Sequence, residues 1–277
     1  MKILTTGATG RVGSHLVRQL AEHHHVAATG RTVHPRTQGL ITWHRADLAD
    51  PQPWTALLGD VDAAFLFPAF GHTQHFIDAA TEVGLQKLVL LSSGAVNDTH
   101  NSLIKTVHAE IEAQAEASGI PTVRVRPTVF MANDLAWLPA VRSGTPVPLA
   151  YPDASMPAVA EQDIAAVAAT CLTQDVDRDT YELTGPRSLT QLERLRVLAK
   201  HTTGARASWT DITDIAEREG LPDMPGPPGE YLLKNLARSS LAPVPPSEDV
   251  HEVLGRAAID YSVWATGAAA QPLDDAR

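Results

Sequence analysis

Three closely spaced glycines near the start of the chain restrict its fold more than any other feature. The segment Thr6-Gly7-Ala8-Thr9-Gly10-Arg11-Val12-Gly13 follows a short apolar run that reads as a strand and leads into a helical pattern. In such a strand–turn–helix, glycine permits the tight turn, lets a phosphate approach the main chain, and lets the helix pack closely on the sheet. The unpaired N–H groups at the helix start then face an anion. The spacing predicts a dinucleotide site built on Gly7, Thr9, Gly10, Arg11, Val12 and Gly13.

The rest of the first 130 residues repeats the same alternation. Strands are expected over residues 2–6, 25–30, 40–44, 63–67, 87–92 and 121–126, with helices over 12–22, 54–58, 72–83 and 102–117. Gly84 and Gly119 follow the last two helices, where a stop is expected. Strands alternating with helices predict α/β architecture: a Rossmann-type, doubly wound parallel sheet with right-handed crossovers.

Beyond Arg126 six prolines punctuate residues 126–158, which therefore read as mostly loop with short helical pieces. Helices are expected over 162–172 and 189–201, a strand over 180–184, a breaker run over 222–229, and helical patterns near 230–238 and 248–255. We expect one domain over 1–277: a dinucleotide-binding core over 1–130, and a small C-terminal substrate-binding cap over 131–267 with elements returning to the core. The tail after Gly267 is expected to be disordered.

Composition narrows the function. With 22 basic against 32 acidic residues the net charge is −10, and no Lys/Arg cluster offers a nucleic-acid surface. No apolar stretch reaches the length of a membrane span, and the first strand leaves no room for a signal peptide. A single cysteine, Cys171, sits in an apolar run and reads as a buried small hydrophobe. A cytoplasmic chain is expected. His23-His24-His25 lacks the spacing of a metal site, so no metal is expected, and Trp43, Trp54, Trp209 and Trp264 are expected to serve packing.

The second strand ends at Gly30-Arg31, where an acidic residue would favour NAD. Arg31, with Arg11 and Arg36, instead offers guanidinium groups to a 2′-phosphate, so the expected cofactor is NADP(H). Asp47 and Leu48, after the third strand, are placed near the adenine, and Phe67-Pro68-Ala69 is placed along the cofactor's other side.

Together with this turn, Ala46-Asp47-Leu48, Leu91-Ser92-Ser93-Gly94, Glu112, Arg126-Pro127-Thr128-Val129-Phe130-Met131, Asn133, Asp163-Ile164-Ala165 and Ile259-Asp260-Tyr261 resemble the atypical short-chain dehydrogenase/reductases of the NmrA-like, NAD(P)H-binding group. The resemblance covers nearly the whole chain. It implies that Ser92, Pro127, Val129 and Phe130 contact the cofactor, and that Ser93 hydrogen-bonds a substrate carbonyl; Lys105, near the tyrosine position, is within reach of the cofactor, with a solvated lysine as the favoured competing reading. Typical members carry a Tyr-x-x-x-Lys pair on the helix after the fifth strand. Alignment through Glu112 places Ile104 and His108 there, and all four tyrosines lie beyond that helix.

Losing a general acid costs roughly 10²–10⁴-fold in rate, and three consequences follow. The chain reduces a ketone whose proton comes from elsewhere, such as the substrate's own hydroxyl. In this it is similar to tyrosine-lacking reductases of angucyclinone-type aromatic polyketides in antibiotic biosynthesis. Alternatively the acceptor is a quinone or enone, which delocalises the arriving charge. Finally, the chain turns nothing over and senses NADP(H), as NmrA-like regulators do. Expected catalytic residues are Ser93 and His108, the latter as ribose ligand or proton relay, with a purely structural role as the competing reading. Ser93, Met131, Asn133 and Trp137 are expected to meet a polycyclic aromatic substrate. Oligomeric state stays open.

Overall fold

The computed structural model describes residues 1–51, 54–204, 207–222 and 224–270. In chain order the first half runs β1 (Lys2–Thr5), α1 (Arg11–Leu20), β2 (His25–Gly30), β3 (Arg36–Gln38), β4 (Ile41–Arg45), α2 (Trp54–Leu58), β5 (Ala63–Leu66), α3 (Gln74–Glu82), β6 (Leu88–Leu91), α4 (Leu103–Ala117) and β7 (Thr122–Pro127). The second half runs α5 (Leu138–Ser143), β8 (Val147–Leu149), β9 (Ser155–Met156), α6 (Glu161–Thr173), β10 (Thr180–Leu183), β11 (Leu189–Thr190), α7 (Gln191–Thr203), β12 (Trp209–Asp211), α8 (Thr213–Glu219), α9 (Pro227–Leu241), α10 (Asp249–Leu254) and α11 (Tyr261–Ala269).

Eight strands form one sheet in the order β10-β7-β6-β5-β1-β2-β4-β3. All neighbours are parallel except β3, which pairs antiparallel with β4 at the edge. Successive residues of a strand point to opposite faces of the sheet, and in the central strands β1, β5 and β6 both faces are apolar. Ile3, Phe65, Val89 and Leu91 join one buried cluster with α1 and α6. Leu4, Leu66, Leu88 and Leu90 join a second with α2, α3 and α4. The strand order reverses between β1 and β5, and in doubly wound sheets ligands bind at that switch point, beyond the carboxyl ends of the strands.

The second half departs from its expected outline. Residues 126–158 are not mostly loop: a 3₁₀ segment Met131–Trp137, α5, β8 and β9 occupy them. The helix expected from Leu189 starts at Gln191 instead. Leu189 and Thr190 pair with Met156 and Ser155, and Thr190 then closes a capping box with Glu193. The breaker run 222–229 ends early, because Pro227 and Pro228 occupy the first helical positions of α9, where a missing N–H costs nothing. Against the expected disorder after Gly267, α11 continues to Ala269 and Ala268 is buried beside Trp264; the rest of that tail, 271–277, lies outside the described residues. Met131, Leu135, Leu138, Leu198, Tyr261 and Trp264 form a separate buried cluster in the second half.

Candidate functional site: a nucleotide cleft joined to an aromatic pocket

The β1–α1 turn has the geometry its glycines imply. Gly7 sits at φ +60°, a region unfavourable to other residues. A Cβ on Gly13 would lie 2.1 Å from the Gly7 carbonyl oxygen, so only glycine lets α1 approach the turn. Gly10 precedes the helix without a side-chain cap, and the first turn carries no acidic residue. The positive end of the helix dipole is therefore open to a phosphate.

In front of this turn lies a cleft of about 350 Å³, lined by Thr6, Gly7, Thr9, Gly10, Thr29, Gly30, Arg31, Ala46, Asp47, Leu48, Trp54, Phe67, Pro68 and Ala69. Arg31 is exposed there and makes no hydrogen bond or ion pair among the described residues. Asp47 Oδ1 accepts from the Ala49 N–H at 3.1 Å, which fixes the loop after β4. Open helix N–H groups, a glycine cradle and an available guanidinium together fit a dinucleotide. The residues expected at the adenosine end converge, apart from two arginines.

Those two side chains go elsewhere. Arg11 donates from Nη1 to the Ala132 carbonyl at 2.8 Å, which ties α1 to the 3₁₀ segment Met131–Trp137. Arg36 lies in β3 with its guanidinium 5.6 Å over the Trp43 ring, outside the cleft lining. Val12 is buried in the core, so its side chain packs rather than binds. Trp54, expected only to pack, is buried and also forms part of the cleft wall.

Phe67 and Pro68 are shared with a second pocket of about 280 Å³, which continues the cleft across the ends of β5, β6 and β7. Its other lining residues are Phe70, Leu91, Ser92, Ser93, His108, Pro127, Thr128 and Phe130. Ser93 Oγ accepts from the Ala95 N–H at 3.2 Å, which leaves its own O–H available as a donor. His108 Nδ1 is buried without a hydrogen-bond partner. Burial lowers the His108 pKa, partly opposed by the Glu112 carboxylate, so the ring favours its neutral form.

Ser92 turns inward: its hydroxyl donates to Glu112 Oε1 at 2.5 Å. Arg126 grips the same carboxylate through Nε at 2.8 Å and Nη2 at 2.6 Å, and reaches Glu182 and Asn97 through Nη1. Burial alone would raise the Glu112 pKa. The hydrogen bonds from Arg126 and Ser92 and the charges of Arg126 and Arg124 outweigh it and hold the carboxyl below its ordinary value. This charged brace underlies the pocket floor.

Several expected residues fall outside the pocket. Lys105 donates from Nζ to the Asp98 carbonyl. Met131 is buried in the cluster with Leu135, Tyr261 and Trp264, and Trp137 lies beneath the Arg194 guanidinium at 5.7 Å. Asn133 is exposed, and Val129 packs against the cap clusters. None of these five lines the pocket. No tyrosine lines it either: the Tyr151, Tyr231 and Tyr261 hydroxyls bond to Glu217, Asp98 and Asp134, and Tyr181 is buried on β10. Sequence reasoning missed Phe70, Leu91 and Thr128. Phe70 directly follows Phe67-Pro68-Ala69, and an aromatic so close to a strand's carboxyl end was the available signal.

Among the described residues no group of three or more His, Cys, Asp or Glu is placed to hold a metal, and no helix is long and apolar enough to cross a membrane. Burial pushes the Cys171 thiol up to about 11, which makes it a poor nucleophile.

Residues 7–175 match the family described as NAD(P)H-binding. The chain is 31% identical over 274 residues to a (4-alkanoyl-5-oxo-2,5-dihydrofuran-3-yl)methyl phosphate reductase of Streptomyces griseus, covering 95% of this chain and 96% of that one. It is 27% identical to an NAD(P)H azoreductase of Xenophilus azovorans, covering 97% and 98%. Among solved structures it is similar to an NADPH-dependent quinone oxidoreductase of Escherichia coli complexed with NADPH, with a TM-score of 0.74 at 22% identity, covering 96% and 99%. The chain belongs to the NAD(P)H-binding family of Rossmann-type proteins. Within it, the chain is an NAD(P)H-dependent oxidoreductase.

Proposed function

We propose that this protein reduces a flat, conjugated carbonyl or quinone acceptor with NADPH. The observation that carries the reading is the aromatic pocket that continues the nucleotide cleft and contains no tyrosine. When bound, NADPH supplies the hydride. Gly7, Thr9, Gly10 and the open start of α1 would hold its phosphates, and Arg31 its 2′-phosphate. Phe67, Pro68, Pro127 and Phe130 would wall its far end beside the acceptor.

The chain's own polar contribution at the acceptor is small. Ser93 donates to the acceptor oxygen, and the neutral His108 ring borders the same pocket. Neither has the strength of a dedicated acid, so the acceptor must tolerate the arriving electron pair. An enone or quinone spreads the charge over its conjugated system. A ketone on a hydroxylated aromatic polyketide, of the angucyclinone type met in antibiotic biosynthesis, takes a proton from its neighbouring hydroxyl. The three relatives support this breadth, since their names specify an oxo-dihydrofuran, an azo compound and a quinone. In this reading the elements from Met131 onward, apart from α6, β10 and α10, which pack on the core, form the substrate cap.

The test is NADPH consumption with hydroxylated polycyclic ketones, enones and quinones, measured beside NADPH affinity. Turnover with a conjugated acceptor, and none with a saturated ketone, is expected. Tight NADPH binding without consumption across all three classes would instead mark a sensor of the NADP(H) pool.

A further inference from the structure

Three of the chain's five phenylalanines, Phe67, Phe70 and Phe130, line the aromatic pocket, while Phe65 and Phe76 are fully buried in the core. Phe70 is 48% exposed, although its backbone lies in a hydrogen-bonded turn. The His72 N–H donates to the Ala69 carbonyl at 2.9 Å, closing a turn with Phe70 and Gly71 at its centre, and Gly71 adopts φ +76°. Thr73 Oγ1 donates to the same carbonyl at 3.0 Å. The Phe70 ring then stands edge-on to His108, with centroids 5.4 Å apart and planes at 85°. A doubly anchored turn thus holds an apolar ring in water, beside a buried histidine nitrogen that lacks a partner.

We propose that Phe70 is the specificity-determining residue of the acceptor pocket, selecting planar conjugated molecules by stacking on its exposed ring. This rests on the acceptor reading given above and adds to it a residue and a shape criterion. A preformed ring loses little entropy on binding, so its exposed face is recovered as contact with a flat ligand. A saturated, puckered ligand of equal size cannot lie flush against it.

The test measures binding without turnover. The probe is 2-hydroxy-1,4-naphthoquinone, titrated into the enzyme saturated with NADP⁺, with the saturated bicyclic ketone 1-decalone as the puckered comparison. Wild-type protein is expected to favour the flat probe about tenfold, the scale of one aromatic contact. Phe70→Leu keeps apolar bulk without the ring and is expected to remove that preference, leaving NADP⁺ affinity within about twofold. Equal flat-probe affinity in wild type and Phe70→Leu would overturn the proposal, as would no measurable binding of the flat probe to wild type. Because no hydride moves, ring-dependent binding by a protein that consumes no NADPH would refute the reductase reading and leave the role of Phe70 standing.

Discussion

The two ends of the cleft are built on different principles. The nucleotide end rests on main chain: Gly7, Gly10 and Gly13 lie within seven consecutive residues, and the helix they introduce presents its own N–H groups. The acceptor end rests on side chains carried by separate elements, with Phe67 and Phe70 after β5, Ser93 after β6, His108 on α4, and Phe130 after β7. A backbone site leaves a local sequence signature and tolerates little change. A side-chain site leaves none, and can be altered one residue at a time.

The largest effect should come from the backbone end. Gly13→Ala forces a Cβ into the Gly7 carbonyl, with backbone on both sides of the clash. We expect a loss of about 3 kcal/mol in denaturant unfolding, together with weakened NADPH binding. A variant that keeps both would show that the turn yields more readily than its geometry implies.

Glu112→Ala removes the brace beneath the pocket floor and leaves Arg126 without its principal carboxylate. About 2–3 kcal/mol of stability should go with it. The sign of the pH dependence follows from the lowered Glu112 pKa. Its contribution is present above the ordinary value of 4.5 and is lost as pH falls through the folded value. Acid unfolding of the variant should therefore be less steep below about pH 4.5 than that of wild type.

Arg31→Ala separates the two cofactors. We expect NADPH affinity to drop about thirtyfold, or about 2 kcal/mol, with NADH affinity within about twofold. Equal losses for both cofactors would move the 2′-phosphate contact to another side chain.

The smaller effects concern histidine and the displaced arginine. Because burial depresses the folded pKa of His108, the unfolded chain takes up a proton that the folded state resists as pH falls through 6.5. His108→Leu should flatten the fall in stability below that pH. Arg36→Ala loses only its contact over Trp43, about 0.5–1 kcal/mol at such an exposed site, and NADPH affinity should stay within about twofold.

Much of this contrast was readable in advance. All seven principal parallel strands have counterparts in the residue patterns: β5 and β6 are apolar runs buried on both faces, whereas β7 and β10 alternate buried with half-buried residues. The three-residue edge strand β3 and the two-residue strands β9 and β11 were not readable. They are too short for a period and exist only through their partners. Arg36, Lys105, Met131 and Trp137 show the same limit in the site. Residue type and position placed them near the cleft, but Trp43, the Asp98 carbonyl, the buried cluster around Tyr261 and Arg194 claim their side chains.

The sequence by itself determined the Rossmann-type core and its phosphate-binding turn, because backbone conformation there is set by neighbouring residues along the chain. It also determined that no tyrosine occupies the usual position on α4, where Ile104 stands. Only the tertiary structure decided which side chains meet the acceptor. Phe70, Ser93, His108 and Phe130 span 61 positions and converge only because parallel crossovers return each strand's carboxyl end to the same edge of the sheet.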